Sequence, residues 1–512
     1  MLEEVPLKGS TADEHDPESC QDSAKDLGKT AEDTAAQGMQ GGEKDTHIVA
    51  WDGPDDPKNP RNWSKAFRMT HVLLVSAFTL YSNLAATMFA PGAAFLIEEF
   101  HVTSSIVGTM TVTIYLLGFS FGPLILAPMS ELYGRLPIYH LANLVYIGFT
   151  IGCALSTNIT MFLVFRFFCG SAASAPLTIG AGTVADVIPA RDRGKAMAIY
   201  GTGPLLGPVV GPIVGGFVAE YIGWRWTFWI ICIMACVFSL IAVFVMRETN
   251  EEVLLSKKAA RLRKATGEDF RARTDKGLTS RQLLGRAIIR PAKMLIFSPI
   301  VFLLSLYGAF VFGLIFLLFA TFPDVFEETY GFGPGVSGLA YLGLGIGMIV
   351  GLVLFGLLSD KMMNKKRGGN DDNDGAAPRP EMRLPLMIWV PPIIPVGFFW
   401  YGWSAQAHTH WIVPILGTSL IGLGSFFIVM PAQTYFVDIF GAQGAASALA
   451  ANSVVRNISG AFLGLAAPPL YANLGLGWGN SLLGFLCLAF VPIPFLFYRY
   501  GEWLRVRFAV EL

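Results

Sequence analysis

Apolar residues in this chain come in long unbroken runs, and the polar residues are gathered between them. The runs lie at roughly 67–91, 106–128, 136–155, 161–185, 196–220 and 226–246, then 298–323, 337–358, 384–404, 411–437, 444–471 and 478–500, each near the ~20 residues that cross a hydrocarbon core. The pattern predicts twelve transmembrane helices in two sets of six. A bilayer offers no partners to backbone N–H and C=O groups, so each run must satisfy its own as a helix. The polar stretches divide the rest: a disordered tail over 1–60, a first bundle over 61–246, a linker over 247–297, a second bundle over 298–500 and a short tail over 501–512.

Basic residues set the orientation. Arg61, Lys65 and Arg68 precede the first run and Arg135 follows the second. Arg191, Arg193 and Lys195 follow the fourth, and a dense basic set between Arg247 and Lys293 follows the sixth. Lys361, Lys365, Lys366 and Arg367 follow the eighth and Arg499, Arg505 and Arg507 the last, while the alternate connections hold only Arg225. Lys and Arg accumulate on the cytoplasmic side, so both termini are expected there. Within the linker, Glu251 to Lys264 sets apolar residues at three- and four-residue spacing among bases, the pattern of an amphipathic helix on the inner leaflet.

Composition agrees with this pattern. Of 512 residues, 53% are hydrophobic and 15% charged, which places the chain among integral membrane proteins. Five of the six cysteines lie in apolar runs and read as small buried hydrophobes, not as a disulfide framework. The acidic start has neither the basic nor the apolar region of a signal peptide, so the first run is expected to act as its own anchor. No cluster of His or acids stands inside a run, which argues against a membrane enzyme, and no metal or cofactor is called for.

Several motifs lie on this topology. Gly207-Pro208-Val209-Val210-Gly211-Pro212-Ile213-Val214-Gly215-Gly216 is a Gly/Pro ladder inside the fifth run, suited to close helix approach. Leu126 to Arg135 closes the second run with Ser130 and Glu131. Ser359-Asp360-Lys361 closes the eighth in the same manner. Asp186 before Gly194 is echoed by Asp438 before Gly444. Two halves with matching motifs are what a two-bundle transporter requires.

These residues, with Trp51 to Ser64 before the first run, Arg166-Phe167-Phe168-Cys169-Gly170, Thr321-Phe322-Pro323-Asp324 and Ala451-Asn452-Ser453-Val454-Val455-Arg456, resemble the major facilitator superfamily, and within it the fungal twelve-helix drug:proton antiporters. The resemblance runs from Trp51 onward. It implies an all-α membrane fold of two pseudo-symmetric six-helix bundles. The ladder then resembles the antiporter motif, with Gly207, Gly211, Pro212, Gly215 and Gly216 as its residues, and is expected to let helix 5 pack on the opposing bundle at helix 8.

The resemblance also distributes roles. Glu131, Arg135, Asp186, Asp360 and Arg456 are expected to gate, with Arg135 near Asp186 and Glu131 facing the second half. Anchoring of helix ends at the headgroups is the plainer alternative. Arg166 and Arg456 are bases set inside apolar runs, which marks them for function. Arg166 is associated with proton coupling or with orienting substrate, although Arg itself stays charged. No carboxylate lies deep within a run, so Glu220 and Asp186 stand as candidate proton carriers. For the same reason a polycation finds no counter-charge. Asn83, Tyr115, Arg166, Tyr307, Phe310, Gln433, Tyr435 and Asn452 are the candidate substrate-binding set, a mix suited to apolar or amphipathic compounds.

The expected function is therefore proton-driven export of small hydrophobic or amphipathic compounds by alternating access, in a monomer whose partners are the substrate, protons and the lipid bilayer, with no nucleic acid. The proton gradient takes the place of a cofactor. The expected site is the plasma membrane, with the vacuolar membrane as alternative. A polyamine or nutrient carrier, or a non-transporting sensor on the same fold, are the rival readings.

Overall fold

The computed structural model describes residues 48–189, 192–273, 280–367, 381 and 384–507. The proposed tail therefore lies outside the described residues up to residue 47, as do residues 508–512 and the side chain of Asp360.

Eleven helical segments are long and apolar enough to cross a membrane: α1 (Lys65–Glu99), α2 (Ser105–Tyr133), α3 (Arg135–Ala154), α4 (Ile159–Val187), α5 (Arg193–Tyr221), α6 (Arg225–Val245), α7 (Pro299–Tyr330), α8 (Pro334–Ser359), α9 (Pro385–Gln406), α10 (Ile412–Phe440) and a final 62-residue segment, Gly444–Arg505. Twelve separate runs were expected, and the difference lies in that final segment. A straight helix of such length would measure about 90 Å, three times the hydrocarbon core. It folds back instead. Asn452 lies against Gly308 of α7 and Leu463 against Gly313, but Phe490 has returned to the level of Tyr307 and Phe310. The reversal coincides with Gly475, whose φ of 69° is left-handed, a conformation that costs glycine little. Residues 444–474 are therefore α11 and residues 476–505 α12.

Local chemistry explains several boundaries. Ser64, Asn158 and Ser298 each accept a backbone N–H with the side-chain oxygen at the starts of α1, α4 and α7, removing an orphan donor. Gly331 closes α7 with a left-handed φ of 65°. Ala175 begins a second stretch of α4 after a break at Ser174, with Pro176 in its first turn. The linker holds the expected helix, Glu251–Thr266, and a second one, Ser280–Phe297, that the spacing did not announce.

Each half has its own apolar core. One unites buried residues of α1 to α6, among them Phe78, Tyr81, Tyr146, Phe162 and Phe228. The other unites residues of α7 to α12 and takes in Leu116 from α2. Large apolar side chains such as Leu144 and Phe244 remain exposed, as a lipid-facing surface requires. A separate small unit joins residues 48–50 to Ser256–Arg273. In it β1 (Ile48–Val49) pairs in parallel with β2 (Arg271–Ala272), and Lys258 Nζ donates to the carbonyl of Ala50 at 3.0 Å.

Candidate functional site

The Gly/Pro ladder of α5 has two faces with different partners. Gly203, Gly207, Gly211 and Gly215 recur every four residues and so share one side of the helix. That side lies on α1 within the same half. A Cβ at Gly207 would stand 2.7 Å from Asn83 Cβ, one at Gly211 2.6 Å from Thr87 Oγ1, and one at Gly215 would collide with the carbonyl of Met88. Val209, Pro212, Gly216 and Glu220 form the second side, which meets α8. Val209 lies against Gly345, the carbonyl of Pro212 against Gly338, and Gly216 against the carbonyl of Pro334. At the end of this seam Gly335 N donates to Glu220 Oε2 at 2.8 Å. The expected α5–α8 packing is thus carried by Pro212 and Gly216, whereas Gly207, Gly211 and Gly215 join α5 to α1.

A matching seam joins α2 to α11. Ser120 Oγ donates to the carbonyl of Val454 at 2.9 Å, Leu116 lies against Gly460, and Thr113 against Gly464. Both seams occupy the parts of these helices nearer Glu220. Toward the other end, Gly194 and Gly201 of α5 and Gly356 of α8 have nothing within 4 Å of a Cβ position. The halves therefore meet at the Glu220 end, whereas at the Arg135 end these glycines of α5 and α8 face open space among the described residues.

At the Arg135 end a cluster of charges joins the first half to the start of the linker. Arg135 Nε is 3.4 Å from Asp186 Oδ2, and its Nη1 donates to Ser130 Oγ at 2.8 Å. Glu248, which sequence reasoning passed over, caps α3: it accepts from Arg135 N at 2.9 Å and Leu136 N at 3.1 Å. The chain beyond it is held too, since Thr249 Oγ1 donates to Asp186 Oδ2 and Asn250 Nδ2 to the carbonyl of Ser130. The only sequence signal for Glu248 was an acid directly following Arg247 at the end of a run. Glu131 is exposed and has no ion-pair partner among the described residues.

Arg166 is 1% exposed inside the first half. Its Nη2 donates to the carbonyl of Ala85 at 2.8 Å, and its guanidinium lies 4.7 Å from the centroid of Tyr115, 5.3 Å from Phe228 and 5.7 Å from Phe89. No carboxylate pairs with it among the described residues. Beside it Tyr115 donates to the carbonyl of Ser82, and Tyr81 donates to Asn143 Oδ1, each at 2.7 Å.

The remaining candidates are dispersed. Asn83 donates to the carbonyl of Thr79 at 2.8 Å and abuts Gly207. Tyr307 and Phe310 stack on Phe490, with centroids 5.6 and 4.9 Å away, inside the second half. Gln433 is half-buried on α10. Tyr435 is buried, with its hydroxyl beside Gly501 near the end of α12. Asn452 is buried between α11 and α7, opposite Gly308. Arg456 has its guanidinium 4.8 Å from the centroid of Phe312, and Phe312 lies beside Gly460 on the α2–α11 seam. Phe312 was not singled out from the sequence, because one Phe in a Phe-rich run carries no mark of its facing.

The family model described as Major Facilitator Superfamily matches residues 73–465. The chain is 65% identical over 470 residues to the MFS transporter prlG of Fungal sp., covering 91% of this chain and 98% of that one. It is 60% identical over 469 residues to the MFS transporter fsa7 of Fusarium sp., covering 91% of each. It is 55% identical over 467 residues to the trichosetin biosynthesis cluster MFS transporter of Gibberella fujikuroi, covering 91% and 90%. Among solved structures, the xylose transporter XylE from E. coli in a partially occluded inward-open conformation superimposes with a TM-score of 0.62 at 17% identity, over 85% of this chain and 98% of that one. A bacterial homologue of the human lysosomal transporter Spinster, inward-facing, does so with a TM-score of 0.60 at 15% identity, over 88% and 100%. The chain, an all-α multi-pass membrane protein of two six-helix halves, belongs to the major facilitator superfamily and is a transporter, not an enzyme.

Proposed function

We propose that this protein exports an amphipathic secondary metabolite of a fungus by proton-driven alternating access, as a drug:proton antiporter-like member of its family. The observation that carries the reading is the close identity, over nearly the whole chain, to transporters that include one named for a trichosetin biosynthesis cluster. The geometry supports it in a second way. Two halves joined along α5–α8 and α2–α11 at one end, with open space beside glycines of α5 and α8 at the other, have the form of one state of an alternating-access cycle.

In this reading substrate enters between the halves from the Arg135 end, which faces the cytoplasm together with both termini, and leaves at the Glu220 end. Arg456 on Phe312, with Gln433 and Asn452 on α10 and α11, places a few polar groups amid aromatic and aliphatic surface, a mix suited to amphipathic ligands. Arg135, Asp186 and Glu248 hold the first half's gate, with Glu131 free to meet the second half when the Arg135 end closes. The protein acts as a monomer in the plasma membrane, with the proton gradient as its energy source.

The test is uptake into inside-out vesicles from yeast expressing the protein. Imposing an acid-inside gradient should drive accumulation of an amphipathic fungal metabolite, and a protonophore should abolish it. Accumulation of spermidine or a sugar in place of such compounds would favour the nutrient-carrier reading. Absence of uptake of every class by correctly inserted protein would favour a sensor.

A further inference from the structure

The α5–α8 seam ends on an arrangement that packing does not require. Val209, Pro212, Gly216 and Glu220 follow one another at steps of three, four and four residues, so Glu220 continues the face that meets α8. Its Oε2 accepts the N–H of Gly335 at 2.8 Å, across 115 residues of sequence. A Cβ at Gly333 would lie 3.1 Å from Oε1 and one at Gly335 2.7 Å from Oε2, so the carboxylate occupies space that only these two glycines leave. Gly333 precedes the first turn of α8 and has no side chain with which to cap it. The first half thus supplies the cap for a helix of the second, and parting the halves at this end must break that bond.

We infer that Glu220 is a proton-released gate: as a carboxylate it holds the Glu220 end shut, and a proton taken from the compartment it faces loosens that end. The step is transfer of one proton to a carboxylate oxygen. A charged acceptor makes a hydrogen bond roughly twice as strong as a neutral one, and a helix start favours an anion over a neutral group. Glu220 is exposed, so protons reach it directly. The acid of α7 that interacts with it is Glu327, which accepts from Ser337 Oγ at 3.2 Å and has Asp324 and Glu328 as its own acidic neighbours. Arg225, five residues on, is paired with Glu99 at 2.6 Å, and no cation pairs with Glu220 among the described residues. Repulsion from Glu327 acts in the opposite sense, because a proton on Glu220 relieves it. It acts through solvent at an exposed end and is screened, whereas the bond to Gly335 is direct.

The inference deepens the proton-coupled reading above, and its test uses no transport. Full-length protein in lipid nanodiscs, with Cys20 and Cys236 replaced by Ser, carries spin labels at Tyr221→Cys and Val336→Cys, two exposed positions flanking the bond. Distances are measured at pH 8 and at pH 3, below the ordinary carboxylate range. The short-distance population should dominate at pH 8, and the ratio of long to short should rise about fivefold at pH 3. Glu220→Gln, which keeps the shape but not the charge, should give the long-distance population at both pH values, while Glu327→Gln should retain the shift. An unchanged wild-type distribution, a shift toward shorter distances in acid, or a wild-type pH response in Glu220→Gln would each overturn the inference. Failure of export with an intact pH response would count against the exporter reading alone.

Discussion

Thr87 Oγ1 stands 2.6 Å from where a Cβ on Gly211 would have to lie. Gly211 therefore belongs to the joint between α5 and α1, inside one half, and not to the seam between halves. Gly211→Leu should act as overpacking within a folded bundle, a cost of about 1–3 kcal/mol, read as a lower melting temperature of the purified protein. Gly216→Leu should leave melting near wild type but weaken α5–α8 contact, read as slower cross-linking between cysteines placed on those helices. The reverse assignment of the two effects would contradict the packing described.

Glu248 ties the start of α3 to the chain leaving α6. Glu248→Ala removes the acceptor for two N–H groups and should lower stability by about 1 kcal/mol, the usual worth of a helix cap. Arg135 and Asp186 share its neighbourhood through Thr249. The effects of Glu248→Ala and Asp186→Asn should therefore be non-additive in a double-mutant cycle. Strict additivity in thermal melts would show that the cluster does not act as a unit.

Arg166 offers a test that separates function from structure. A cation buried beside one carbonyl and three rings, with no acid opposite, is costly to desolvate, and replacing such a charge by an apolar side chain of similar length is often neutral or stabilising. Arg166→Met should keep or raise the melting temperature and yet reduce transport at least tenfold. A fall in both would assign Arg166 to bundle integrity alone.

Phe312 and Phe310 are two residues apart on α7 and face different surroundings. Phe312→Leu removes the ring under Arg456, a contact of about 0.5–2 kcal/mol, and should change transport severalfold with little effect on melting. Phe310→Leu loosens the stack on Phe490 and should lower melting with little change in transport per folded molecule. Equal effects of the two on both measurements would place neither ring at the junction.

Much of this architecture is written in the order of residues. Runs of ~20 apolar residues must be helices because the bilayer leaves backbone groups no other partner, and the doubled motifs announce two halves. The amphipathic pattern of Glu251 to Lys264 likewise appears as the helix Glu251–Thr266. The ladder's composition announced close helix approach. Its four-residue step from Gly203 to Gly215 was legible as one face, but nothing in that step names α1 as the neighbour.

What the sequence alone determined, then, is the class of fold, the number of halves and the helices on which charges ride. Tertiary structure decided which helix each face meets: that Gly211 rests on Thr87, that Gly216 and Glu220 meet α8, that Glu248 caps α3, and that Phe312 rather than Phe310 lies under Arg456. The physical reason is that membrane insertion depends on summed hydrophobicity along the chain, a one-dimensional quantity. Contacts between helices depend on close fit and on single hydrogen bonds between residues more than a hundred positions apart, and these exist only once the halves are assembled.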